Sequence, residues 1–124
     1  MQFFLKNVAL FSLFAIMVSA TSKFANTCRE IQSYGSELRA ECQEFENGQL
    51  RPTSIDLNRC LKNNKGSLKC GSNGNYQSSC INCVMRGHTE YECQCRNADQ
   101  EHRFVPTHID LNKCISNNHG ELRC

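Results

Sequence analysis

The sequence predicts an all-β fold made of two tandem repeats, and three observations carry that expectation. The first is self-similarity. Residues 52–70 read PTSIDLNRCLKNNKGSLKC and residues 106–124 read PTHIDLNKCISNNHGELRC, identical at 12 of 19 positions at an offset of 54 residues. The second is alternation: Leu38, Ala40 and Cys42 are interleaved with Arg39 and Glu41, and Tyr91, Cys93 and Cys95 repeat the pattern. A period of two gives one inward and one outward face, as in a half-buried strand. The third is punctuation by turn signals at Gly35, Asn47 with Gly48, Lys65 with Gly66, Gly87, and His119 with Gly120. No segment has the period of a long amphipathic helix.

Taken in order, the chain opens with MQFFLKNVALFSLFAIMVSA. A basic Lys6, an apolar run over residues 8–18 and the small Ser19 and Ala20 read as a secretory signal peptide, residues 1–20. The run is too short for a transmembrane helix. The expected mature domain is residues 21–124: repeat one over 24–70, a linker over 71–75 and repeat two over 76–124. The linker, GSNGN, has no apolar side chain and two glycines, and is expected to be flexible. In each repeat, residues 28–42 align with 80–95, allowing one extra residue. Short strands are expected at Ile55, Asp56 and Leu57 and at Ile109, Asp110 and Leu111. Hairpins close through the Asn-Asn-x-Gly turns at 63–66 and 117–120.

Composition narrows the function classes. A net charge of +2 in 124 residues offers no basic face for nucleic acid. Ten cysteines and no Trp describe a thin core held by disulfides in an oxidising compartment. Equivalent cysteines of the two repeats are expected to pair equivalently: Cys28 with Cys42, Cys80 with Cys95, Cys60 with Cys70, and Cys114 with Cys124. Cys83 and Cys93, opposite the positions of Ile31 and Ala40, form the fifth bridge. Cys80-x-x-Cys83 with Cys93-x-Cys95 has a spacing that zinc tolerates, but an even count in a secreted chain favours disulfides. The four histidines form no metal motif, so no metal and no cofactor are expected. Asp56 and Asp110 read as turn or capping residues rather than a catalytic pair. With no nucleophile motif, the expectation is a binding protein and not an enzyme.

The T-x-I-D-L-N block, its N-x-x-G turn and its two copies resemble the cyanovirin-N homology (CVNH) family. The resemblance rests on Thr53, Ile55, Asp56, Leu57, Asn58, Asn63, Gly66 and Leu68, and on Thr107, Ile109, Asp110, Leu111, Asn112, Asn117, Gly120 and Leu122. Phe24-x-x-Thr27-Cys28 and Tyr76-x-x-Ser79-Cys80 resemble the family's repeat openings, and Cys28 with Cys42 and Cys80 with Cys95 match its disulfides in spacing. It implies a pseudo-twofold β-protein whose halves exchange hairpins: roughly 21–59 with 114–124, and 60–113. It also implies a lectin, typically for α1,2-linked mannose of high-mannose glycans, with one shallow polar pocket per half. Carried across, the first site comprises Lys23, Asn26, Thr27, Gln43, Asn117, Asn118 and His119. The second comprises Asn63, Asn64, Lys65, Asn75, Ser78, Ser79, Arg96 and Asn97. Amides and hydroxyls suit sugar hydroxyls, which both donate and accept. The best-known members carry an acidic residue before each turn glycine, where this chain has Lys65 and His119. The expected partners are oligosaccharides or glycoprotein glycans, with no nucleic acid and no stable membrane anchor, and the chain is a monomer or a domain-swapped dimer. The alternative is a secreted protein-interaction or effector module that keeps the scaffold without binding sugar.

Overall fold

The structure is a computed structural model, described here for residues 23–124. The signal-peptide expectation falls on residues 1–20, outside the described residues. Ten strands form four small antiparallel sheets. Repeat one contributes β1 (Cys28–Tyr34), β2 (Glu37–Gln43) and β3 (Leu50–Asp56), then the hairpin β4 (Leu61–Asn64) and β5 (Ser67–Cys70). Repeat two contributes β6 (Cys80–Met85), β7 (Glu90–Arg96) and β8 (Phe104–Asp110), then β9 (Ser116–Asn118) and β10 (Glu121–Arg123). Short 3-10 turns precede each three-stranded sheet (Phe24–Asn26, Tyr76–Ser78) and each hairpin (Leu57–Arg59, Leu111–Lys113). Leu57 and Leu111 therefore belong to these turns and not to strands, and the strands before them extend back to Leu50 and Phe104.

The alternation expected of β2 and β7 holds: Leu38, Ala40 and Cys42, and Tyr91, Cys93 and Cys95, are buried. Both repeats carry a register irregularity at the same place, between Arg29 and Gln32 and between Ile81 and Val84. Glu30 and Asn82 there adopt positive φ, as β-bulges allow. The hairpins are exchanged between the halves. Leu68 N–H donates to Thr107 Oγ1 (3.0 Å), and Leu122 N–H donates to Thr53 Oγ1 (3.1 Å). The first half is thus β1–β3 with β9 and β10; the second is β6–β8 with β4 and β5.

Each residue of the repeated T-x-I-D-L-N block has a structural role. The threonine hydroxyl receives the exchanged hairpin, and the isoleucine and leucine enter the core. Asp56 and Asp110 cap the next 3-10 turn, accepting from Asn58 N–H and Asn112 N–H at 2.9 and 3.0 Å. Asn58 Oδ1 then accepts from Gln77 N–H, and Asn112 Oδ1 from Ala25 N–H. Each asparagine so holds the opening turn of the opposite repeat.

The linker is pinned, contrary to its flexible composition. Gly71 N–H, Asn73 N–H and Asn75 N–H donate to the carbonyls of Cys60, Arg59 and Asn58 at 2.8–2.9 Å. Gly74 lies so close to the Leu61 carbonyl that a Cβ would meet it at 2.4 Å. Backbone hydrogen bonds, which composition does not report, hold this segment.

All ten cysteines are paired. Cys28–Cys42 and Cys80–Cys95 join direct cross-strand partners, and Cys83–Cys93 closes over the bulge. The pairing of Cys60 with Cys70 and Cys114 with Cys124 is overturned: the bridges are Cys60–Cys124 and Cys70–Cys114. The reason is register. Cys70 lies opposite Leu61, one residue from Cys60, and Arg123 lies opposite Ser116. A one-residue offset sends the two thiols of a hairpin to opposite faces. Both bridges therefore run between the repeats, from the mouth of one hairpin to the mouth of the other.

The core differs between halves at one conspicuous point. Tyr76 and Tyr91 are fully buried, meet edge to face at 5.9 Å, and share a 2.7 Å hydroxyl contact. Burial pushes both phenols above their ordinary range; for Tyr91 the bond with Tyr76 partly opposes this. Repeat one has Phe24 at the position of Tyr76, so Phe fits there. Tyr76→Phe is expected to cost on the order of 1 kcal/mol, the worth of one net hydrogen bond. A lowered urea midpoint at unchanged slope is the check.

Candidate functional site: two hairpin tips

The two hairpin turns are built alike. Lys65 and Gly66 have φ of 57° and 96°, and His119 and Gly120 have 56° and 92°. Two successive positive φ values are the signature of a type I′ hairpin turn, where Asn, Asp and Gly are favoured. Lys65 and His119 occupy the first of these positions, so the resemblance-based substitution of an acid also forgoes a backbone preference. Both side chains are exposed at the tips.

In the first half, Asn117 gathers the site. It is buried, and its amide donates to Thr27 Oγ1 and to the Gln43 carbonyl, both at 2.9 Å. Its Oδ1 accepts from Gly120 N–H at 2.7 Å. Thr27, Gln43 and the turn are thereby brought together, with Asn118 and His119 at the rim. Lys23 and Asn26 lie on the neighbouring turn, where Asn26 N–H donates to the Lys23 carbonyl at 3.0 Å. The second half repeats the arrangement: Asn63 donates to Ser79 Oγ and to the Arg96 carbonyl, both at 2.9 Å, and accepts from Gly66 N–H at 2.7 Å. Asn64 and Lys65 are exposed beside it, and Asn75 and Ser78 share the turn that leads to Ser79. Asn63 and Asn117 thus direct their bonds into the fold, which leaves Asn64, Lys65, Asn118 and His119 as the outward polar groups of the tips.

The two tips rest on different supports. A Cβ on Gly120 would meet Arg51 at 2.6 Å and Glu44 at 2.9 Å. These two residues, absent from the expected site, form an ion pair at 2.8 Å directly under the turn. Under Gly66 the neighbours are instead Val105 and Asn97. Asn97 is joined to Asp99, whose carboxylate takes two hydrogen bonds from the Arg103 guanidinium at 2.8 and 3.0 Å. Those bonds hold the Asp99 carboxyl below its ordinary range. Arg96 lies over the Phe104 ring at 5.1 Å. The first tip therefore stands on a charged pair and the second on an amide and an aliphatic side chain.

Among the described residues no group of His, Cys, Asp and Glu is placed to hold a metal ion. The site chemistry is that of hydrogen bonding by amides, hydroxyls and ammonium groups at exposed turns.

Comparison with known proteins agrees with this architecture. The T. borchii CVNH protein shares 29% identity over 81% of this chain and 96% of its own, with a TM-score of 0.66. Microvirin, solved in complex with mannobiose, shares 27% over 83% of this chain and 98% of its own, at 0.67. A MoCVNH3 variant solved with (N-GlcNAc)4 superposes at 0.73, covering 85% of this chain and 98% of its own at 21% identity, a likeness of fold. The CVNH domain model matches residues 24–123, all but the first of the described residues and the last, and the chain belongs to the CVNH family.

Proposed function

We propose that this chain is a secreted lectin that binds mannose-rich glycans at one or both hairpin tips. The observation that carries the reading is the pair of tips itself. Each presents two exposed or half-buried polar side chains on a rigid type I′ turn, anchored by a three-bonded asparagine. Shallow sites of this kind match sugar hydroxyls without a deep cavity. Support also comes from family membership and from microvirin's complex with mannobiose. Five disulfides and the signal-like residues 1–20 support export to an oxidising compartment. Two tips on one chain allow avidity toward branched glycans.

The test is an NMR titration of the oxidised protein with Manα1-2Man. Amide shifts at Asn118 and His119, or at Asn64 and Lys65, are the expected result and identify the working half. Absence of shifts at millimolar sugar at both tips overturns mannose recognition and favours the protein-interaction reading, for which Lys65 and His119 in place of acids is the supporting observation.

A further inference from the structure

A cleft of about 820 Å³ lies beside the first tip, lined there by Arg51 and Glu121. Its long wall is β3, the edge strand of its sheet, and the facing wall is β10. The two strands do not pair as a ladder. They meet through the bond from Leu122 N–H to Thr53 Oγ1. The far end is closed by Arg59, Ser72 and Asn73. That end is rigid, because Asn73 N–H donates to the Arg59 carbonyl at 2.9 Å and Cys60–Cys124 ties β10 to the adjacent turn. The near end begins at Arg51 and Glu121, directly against Gly120 and the tip.

The lining chemistry selects the occupant. Three arginines (51, 59 and 123) are matched by three acids, Glu37, Asp56 and Glu121, so the side chains lining the cleft balance in charge. The hydroxyls of Ser36, Ser54 and Ser72 add groups that both donate and accept. Pro52, Ile55 and Leu122 give a small apolar floor. A peptide adding as a strand is disfavoured, since Pro52 has no N–H to offer and β10 has only three residues. A neutral chain of polyhydroxylated rings meets every feature. Residues 51–56 of β3 span roughly 17 Å, a length for several linked rings rather than one. The counterpart positions of the second half hold Val105 for Arg51 and Ser67 for Glu121, so its chemistry differs.

We propose that this cleft is an extended subsite through which the first half grips a neutral oligosaccharide running from the His119 tip along β3 to Arg59. The inference rests on the lectin reading above and adds chain-length selectivity to it.

The test compares disaccharide with tetrasaccharide, using mannobiose and mannotetraose alongside chitobiose and chitotetraose, by calorimetry and amide shifts on the oxidised protein. In the series that binds, the tetrasaccharide is expected to bind about tenfold more tightly, with shifts at Ser54, Arg59, Ser72 and Asn73. Arg59→Ala and Ser72→Trp are expected to erase that advantage while leaving disaccharide affinity and the thermal midpoint unchanged. Equal affinities, or shifts confined to the tip, overturn the cleft subsite and leave the lectin reading standing. Failure of all four sugars to bind overturns both.

Discussion

Replacing Cys60 and Cys124 together by alanine is expected to lower the unfolding free energy of the oxidised protein by about 3 kcal/mol, because Cys70–Cys114 remains and the lost bridge closes only the ring of the two hairpins in the unfolded chain. The bridge spans 64 residues and Cys70–Cys114 spans 44, against 14 for Cys28–Cys42. With Cys60–Cys124 gone, Cys70–Cys114 alone closes its 44-residue loop, so removing it as well is expected to cost about 4 kcal/mol more. Removing both is thus expected to cost about 7 kcal/mol, comparable to the whole stability of a domain near the lower end of the usual 5–15 kcal/mol. Urea denaturation of the Cys60→Ala/Cys124→Ala pair, and then of the variant lacking all four thiols, measures the two steps. An unchanged midpoint in the first variant overturns the account. Cys124 is exposed, so little core packing is lost with it.

The second large effect is centred on Asn117. Truncation to alanine leaves the Gly120 N–H and the Gln43 carbonyl without their partner and opens a void where the amide was. Unpaired groups of this kind cost 1–3 kcal/mol each, so Asn117→Ala is expected to destabilise on the order of 3 kcal/mol. Asn63→Ala, at a less buried position, is expected to cost less. Asn117→Asp tests the polarity of the bonds, since a carboxylate cannot donate to the Gln43 carbonyl. It is expected to be at least as damaging as alanine, and stability equal to the parent protein would show that the amide donor is dispensable. Because the tip is seated by this residue, glycan titrations on the first half should use variants at Asn118 or His119 instead.

How much of this was legible in the residues divides along physical lines. The repeat, the strand alternation at Leu38–Ala40–Cys42 and the turn positions are local patterns, and each has its place in the fold. The bridges between hairpins were not legible, because all three pairings of these four cysteines obey the pseudo-twofold. Exchanging the halves maps Cys60 with Cys70 onto Cys114 with Cys124, but it equally maps Cys60–Cys124 onto Cys70–Cys114. Only the register of the hairpins, with Leu61 opposite Cys70, separates them. Linker order was hidden for a similar reason, since GSNGN gains its fixity from the carbonyls of residues 58–60. At the tips, the sequence gathered the polar residues but not their division of labour. The first asparagine of each Asn-Asn pair is spent inside the fold and the second faces out. Glu44 and Arg51 escaped notice because their pairing is a contact across a loop.

The covalent map also fixes what a protease can take apart. From Cys60 to Cys124 every peptide bond lies within the span of at least one bridge, and the segment between Cys28 and Cys42 is closed in the same way. A single cut in either region leaves one molecule held by sulfur, its severed ends still seated in their sheets. Residues 43–59 are the exception, for no bridge crosses them. Their loop, with Phe45, Glu46 and Asn47 exposed, is the one place in the bridged region where a single cleavage releases a fragment.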